Sequence, residues 1–99
     1  MITVNIKSIN GEFETLKGLL FDGIREEKRK IEYALGLSDE IIRKFEQKYD
    51  ISTSSFLEKF KRGDIEENEE TFQWWAEVKV ANELKEKLKA ITEIEICQQ

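Results

Sequence analysis

The sequence has 99 residues and contains no histidine, no proline and a single cysteine. Without histidine it cannot form a Ser-His-Asp triad, a Cys-His nucleophile or a histidine-containing metal site. With Cys97 alone it can form neither an internal disulfide nor a four-cysteine metal site. These absences argue against a conventional hydrolase. We therefore expect a non-enzymatic protein that has no metal or cofactor and is stabilised by packing.

Long apolar runs are also missing. No stretch approaches the roughly 18–20 apolar residues of a membrane span, and the first residues lack the features of a signal peptide. We therefore expect a cytoplasmic protein with no membrane partner. The 17 Glu and 12 Lys against 4 Asn and 4 Gln resemble the surface composition of heat-adapted proteins.

The N-terminal residues show two competing patterns. Residues 2–9 alternate apolar and polar side chains, which is the period of a half-buried strand. The dipeptide Asn10-Gly11 suits a type I′ turn, so we expect residues 12–17 to return as the second strand of a hairpin. The alternative is a helix through this segment, which would hold Gly18 and Gly23 in its interior at up to about 1 kcal/mol each.

The rest of the chain has helical spacing of its apolar residues, except for the alternating tail. The pattern predicts helices over 22–35, 38–49 and about 53–62, a long helix over 72–91 and a strand over 92–96. Gly36 and Gly63 would end two helices, while Ser38 and one of residues 52–55 would cap the next ones. We therefore predict a single α+β domain over residues 1–99. A short antiparallel sheet, formed by the hairpin and the C-terminal strand, packs with four helices.

Charge is divided unevenly along the chain. Up to residue 62 there are 12 basic and 11 acidic side chains, whereas the remainder carries 4 and 10. Residues 41–62 have a basic surplus and the pattern of two helices joined by a short turn. One interpretation is a DNA-binding helix-turn-helix with its candidate contacts at Lys44, Lys48, Thr53, Ser54, Lys59, Lys61 and Arg62. The alternative is a solvated helical pair, since a pI of about 4.9 argues against non-specific nucleic-acid binding.

Aromatic and acidic side chains cluster where the long helix begins. Adjacent helical positions differ by about 100°, so neighbouring tryptophans cannot face the same way. We expect one tryptophan in the core and the other as an exposed anchor, although both rings could instead be half-buried. The acids from residue 64 to residue 70 either steer a basic partner or form a solvated linker. The candidate partner-binding residues are Phe72, Trp74, Trp75, Glu69 and Glu70.

The order of four motifs resembles a known family. They are Lys48-Tyr49, a Ser/Thr-rich turn, Phe56-x-x-x-Phe60-x-x-Gly63, and an acidic segment that leads into Phe72-Gln73-Trp74-Trp75. In this order they resemble small archaeal and bacterial proteins proposed as antitoxins of type II toxin–antitoxin pairs. The resemblance covers about residues 38–92, so the predicted hairpin and terminal strand lie outside it.

The resemblance implies a mechanism of neutralisation. The acidic C-terminal helix would dock on a basic toxin, and the helix-turn-helix segment 41–62 would bind operator DNA as a homodimer. A basic middle and an acidic end suit a protein with two kinds of partner. The alternative is a structural homodimer or assembly subunit without nucleic-acid contact, in which the long helix pairs with its own copy.

Overall fold

The computed structural model describes residues 6–98, with side chains placed from residue 11 to residue 97. Over this range the chain forms three helices and no strand. They are α1 (Ile6–Tyr49), α2 (Thr53–Arg62) and α3 (Glu69–Gln98). α1 and α3 pack against each other as an antiparallel pair, and α2 lies at the end where α1 stops. The molecule is elongated, with extents of 69 × 24 × 21 Å.

The predicted α+β class is wrong, because the segments assigned to the sheet are helical. Of the predicted first strand, residues 2–5 lie outside the described range, and the remainder belongs to α1 together with residues 10–17. The strand alternation involves only three apolar residues. A helical spacing of three and four continues much further along the sequence, through Ile6, Ile9, Phe13, Leu16 and Leu20. This longer period outweighs both the Asn-Gly turn signal and the cost of interior glycines.

The predicted helices 22–35 and 38–49 are one continuous helix rather than two. Gly36 does not end a helix, and Ser38 lies inside α1 with 3% of its surface exposed. Tyr49 of α1 contacts Glu70 of α3, and the two helices are antiparallel. Ser38, eleven residues before Tyr49, therefore lies opposite Ala81, eleven residues after Glu70, and Ala81 is also buried. Two small side chains at one level allow the helices to approach closely. Packing on α3 therefore continues the helix through two local stop signals.

The prediction of α2 is confirmed, including both of its ends. Ser52 is the N-cap, and its Oγ accepts a hydrogen bond of 3.2 Å from the backbone N–H of Ser55. At the other end Gly63 adopts a left-handed φ of 76°, where a side chain would be strained. The N–H groups of Gly63 and of the next residue donate to the carbonyls of Phe60 and Lys59, which completes a Schellman motif.

The predicted long helix is also confirmed, but α3 extends beyond it at both ends. Its first turn is capped reciprocally: Asn68 Oδ1 accepts from the N–H of Thr71 at 2.9 Å, and Thr71 Oγ1 accepts from the N–H of Asn68 at 2.8 Å. The predicted strand 92–96 is wrong. Thr92 Oγ1 donates to the carbonyl of Leu88 at 2.8 Å, the helical i−4 position, and the helix continues to Gln98.

The core lies where all three helices meet, and it is built around Trp74. This side chain is fully buried and stacks on Phe56, with ring centroids 3.9 Å apart and an interplanar angle of 4°. Phe45 and Tyr49 of α1 each place a ring centroid 5.6 Å from that of Trp74. Burying one such ring removes roughly 150–250 Å² from water, or about 4–6 kcal/mol at most. One aromatic stack thus holds α2 between α1 and α3.

Candidate protein-interaction site

The two tryptophans have different environments, and one of them lies in the core as the sequence predicts. Trp74 is enclosed by the core and is unavailable to a partner, whereas Trp75 is half-buried at the surface. The Nε1 of Trp74 is buried and has no hydrogen-bond acceptor among the described residues. Trp75 therefore remains as a candidate anchor, and Trp74 serves the fold.

An aromatic patch forms on the surface beside the core. It consists of Phe60, Phe72 and Trp75. Phe72 keeps 50% of its surface exposed, and its ring meets Phe60 edge-on with centroids 5.5 Å apart. The ring of Phe60 lies 6.1 Å from that of Trp75. Since Phe72 and Trp75 are three residues apart on α3, they occupy the same face of that helix and meet Phe60 from α2.

A cation borders the aromatic patch. Lys79 follows Trp75 by one helical turn and places its Nζ 4.6 Å from the centroid of the Trp75 ring system. A cation–π contact of this kind at an exposed position contributes about 0.5–1 kcal/mol. Sequence reasoning missed Lys79, although its i, i+4 spacing from Trp75 was a usable signal. Phe60 joins the patch to the core, because its ring centroid also lies 5.4 Å from that of Phe56.

Glu70, a predicted partner-binding residue, is engaged within the protein. Its carboxylate forms an ion pair with Lys48 and accepts a hydrogen bond of 2.6 Å from the Tyr49 hydroxyl. The hydrogen bond from Lys48, and then that from Tyr49, lowers the pKa of Glu70 below its ordinary value. The same contacts raise the pKa values of Lys48 and Tyr49. Glu70 therefore fastens the start of α3 to the end of α1.

Other acidic side chains nearby are available. Glu66, Glu67 and Glu69 are exposed, and within residues 11–97 none of their carboxylates has an ion-pair or hydrogen-bond partner. Glu69 precedes Phe72 by three residues and so lies on the same side of α3 as the aromatic patch. The surface therefore combines an exposed ring with an adjacent negative charge.

The candidate DNA contacts are not brought together on one face. Both the N–H and the Oγ1 of Thr53 donate to Glu46 Oε2 at 2.9 Å. This carboxylate occupies the N-terminus of α2, where a phosphate would otherwise bind. Lys48 is paired with Glu70, while Lys44 and Ser54 are exposed. Lys59, Lys61 and Arg62 lie six to nine residues after Thr53, which is about 9–14 Å further along the helix.

The described residues contain few features that point to other chemistry. A groove of about 350 Å³ lies between the three helices, with residues such as Thr53, Asn82 and Lys85 along it. Within residues 6–98 no group of three or more His, Cys, Asp or Glu could hold a metal ion. In the same range no helix has both the length and the apolar content needed to cross a membrane.

Comparison with known proteins returned no family model, no curated protein and no solved structure that matches this chain. The antitoxin resemblance therefore depends on the order of its sequence motifs alone.

Proposed function

We propose that this protein is a non-enzymatic, antitoxin-like interaction module that binds a basic partner protein through the aromatic patch and the adjacent Glu69. The observation that carries the proposal is Phe72, which is half exposed yet held edge-on against Phe60 beside Trp75. Exposed aromatic rings of this kind supply the anchors of many protein interfaces.

The rigidity of the patch favours binding. Phe72 and Trp75 project from consecutive turns of a helix that is capped at its start and fixed by the core ring of Trp74. Rings that are already ordered lose little conformational entropy when a partner covers them. The patch therefore resembles a preformed anchor rather than a flexible surface.

Charge gives the patch a preference among partners. Glu69 lies beside Phe72, and Glu66 and Glu67 stand in the preceding loop, so their combined field attracts a basic surface. The chain after residue 62 carries 10 of the 21 acidic side chains. Neutralisation would follow if the partner needs that basic surface for its own activity. DNA contact is left out of the proposal, because Glu46 occupies the N-terminus of α2.

The test is co-expression with the product of the adjacent gene. The expected result is that this product alone arrests growth, that the wild-type chain relieves the arrest, and that F72A and E69K do not. Y33A is the matched control, because Tyr33 is 72% exposed and lies on α1. The proposal fails if the wild type gives no relief, or if F72A and E69K relieve the arrest as well as Y33A does.

Purified proteins give a second readout. If Glu69 contributes to binding, the affinity for the partner falls as salt concentration rises, and E69K weakens it at low salt. The alternative function, a structural homodimer, is favoured by a different observation, namely an apolar face near the start of α1 that no other helix of the described chain covers.

A further inference from the structure

The first part of α1 projects beyond the helix that packs against it. Lys28 of α1 pairs with Glu95 of α3 at 2.8 Å, and α3 ends three residues later at Gln98. α1 therefore continues alone from about residue 24 back to Ile6, a length of roughly 28 Å. We call residues 6–23 the arm. All side chains from residue 11 to residue 20 are exposed.

The arm carries large apolar side chains in spite of this exposure. The exposed fractions are 61% for Phe13, 56% for Leu16, 64% for Leu19 and 59% for Leu20. Phe13 lies 18 residues, or about five full turns, before the buried Ile31, so both occupy the same side of α1. The apolar face that α3 covers along the rest of α1 thus continues uncovered along the arm.

The arm has the sequence register of a coiled coil. Among the described side chains, Phe13 (a), Leu16 (d) and Leu20 (a) recur with spacings of three and four, which are the a and d positions of a heptad. In the sequence, Ile6 and Ile9 continue the same spacing. Such a seam buries its side chains only against another helix with the same register. The seam ends at Gly23, because α3 covers this face of α1 further along the chain.

Charged residues beside the seam indicate which kind of helix packs against it. In a parallel pair, each g residue faces the e residue five positions later in the partner. Here these pairs are Glu12 with Lys17, which have opposite charges, and Leu19 with Ile24, which are both apolar. In an antiparallel pair g faces g and e faces e, so Glu12 and Lys17 would not meet. The e and g residues beside the seam are therefore complementary to those of a second copy in parallel orientation.

Glycine content lowers the stability of the arm as an unpacked helix. Gly11, Gly18 and Gly23 lie within the arm, and each costs up to about 1 kcal/mol in a helix relative to alanine. Most of the stability of a helix in a protein comes from packing of its apolar face, and no other helix of the described chain covers that face of the arm. Packing of the seam against a second seam would supply the missing stabilisation.

We propose that the arm forms a parallel two-stranded coiled coil with the arm of a second copy of this chain. The seam includes Phe13, Leu16 and Leu20, and Glu12 of each copy pairs with Lys17 of the other. This dimer is independent of the proposed function, because the aromatic patch lies at the opposite end of α1.

The first test measures the mass of the purified full-length chain by sedimentation equilibrium, with reductant present because Cys97 is exposed. The wild type is expected to be a dimer, and L16K a monomer at the same concentration. T15K is the matched control, since Thr15 is exposed and lies on the opposite side of the arm. Tryptophan fluorescence, which comes from the buried Trp74 and the half-buried Trp75, reports whether each variant keeps its fold. A monomeric wild type, or a folded L16K that dimerises like T15K, overturns the proposal.

The second test determines orientation. In K17E the residues at positions 12 and 17 are both negative, and in E12K both are positive, so the pairs between copies become repulsive. Each variant alone is therefore expected to dimerise about tenfold more weakly than the wild type. Mixing the two variants restores both attractive pairs, and the mixed dimer is expected to recover the wild-type affinity. If each variant alone dimerises as tightly as the wild type, as an antiparallel pair would, or if the mixture dimerises no better than either variant alone, the parallel arrangement is wrong.

Discussion

The arm and the remainder of the molecule, residues 24–98, are built from the same kind of amphipathic helix, yet they differ in what covers the apolar face. We call residues 24–98 the body. In the body α3 buries Ile31, Ser38 and the aromatic residues at the end of α1. In the arm the equivalent face, including Phe13 and Leu16, is exposed. One continuous helix thus serves two interfaces, one within the chain and one that we assign to a second copy.

Polar contacts differ in the same way. The body has contacts that join separate helices, such as Lys28 to Glu95 and Tyr49 to Glu70. The side-chain hydrogen bond described within the arm is local, from Thr15 Oγ1 to the carbonyl of Gly11 at 3.0 Å. Stability measured on the isolated chain should therefore depend on the body, and stability that depends on concentration should come from the arm.

The largest expected effect is at the core of the body. W74A removes a fully buried ring that contacts Phe45, Tyr49 and Phe56, and we expect it to lower the free energy of unfolding by about 3–5 kcal/mol. W74F should be less damaging, because it retains a ring and removes the indole N–H that has no acceptor in the described chain. Urea denaturation followed by circular dichroism measures both variants.

Tyr33, an exposed aromatic residue in the body part of α1, provides the control for that measurement. Tyr33 is 72% exposed, so Y33A should change the free energy of unfolding by no more than about 0.5 kcal/mol. Equal losses for W74A and Y33A would show that the aromatic stack is not the core of the body.

The next largest expected loss of stability comes from the cap at the start of α3. T71V removes an oxygen that accepts from the N–H of Asn68 and donates to the carbonyl of Glu66 at 2.9 Å. Because Thr71 is 1% exposed, these groups would be left without a partner, and we expect a loss of about 1–2 kcal/mol. T71S, which keeps the hydroxyl, should recover most of that loss in thermal denaturation. If T71V and T71S are equally stable, the cap has no role in the body.

A smaller effect of opposite sign is expected in the arm. Gly18 has helical backbone geometry and open space around the position of a side chain, so G18A should stabilise the arm by up to about 1 kcal/mol. Hydrogen exchange of the arm amides measures this gain directly. G63A should instead destabilise the body, because Gly63 has a φ of 76°. Stabilisation by both substitutions would contradict the difference in backbone conformation.

The smallest effect is the pH dependence of the contact between α1 and α3. Lys48 and Tyr49 hold the pKa of Glu70 below 4.5, so its stabilising contribution is complete above that pH and is lost as pH falls through the lower, folded-state value. E70Q removes this dependence, so the stability difference between wild type and E70Q should shrink below about pH 4.5. E69Q controls for loss of a carboxylate without a described partner. A difference that is constant from pH 6 to pH 3 would contradict the assignment.

Sequence reasoning was most successful where the determinants are local. The caps of α2 at Ser52 and Gly63, and the expectation that one of two adjacent tryptophans lies in the core, follow from residues within one or two turns of each other. Of the candidate partner-binding residues, Phe72 and Glu69 are exposed in the structure. The contact of Glu70 with Tyr49 was not predicted, because Tyr49 is 21 residues away in the sequence.

The hairpin and the break at residue 36 were wrong for a related reason. Asn10-Gly11 and Gly36 are real signals, but each changes the local free energy by only about 1 kcal/mol. A helical seam sustained over many turns, and burial against α3 in the body, contribute more than that. Local turn and helix-stop signals therefore do not determine the secondary structure where a long apolar helix face is buried against another helix.

The sequence by itself determined the helical period, the ends of α2, the long third helix and the uneven charge, because these properties depend on neighbouring residues. The tertiary structure decided which glycines lie inside a helix instead of ending it, and where α3 stops covering α1. It also decided which tryptophan and which acidic side chains remain at the surface. Those outcomes depend on pairing between segments far apart in the chain. Among the described residues, that pairing leaves the arm and the aromatic patch exposed, and these are the surfaces at which we propose that partners bind.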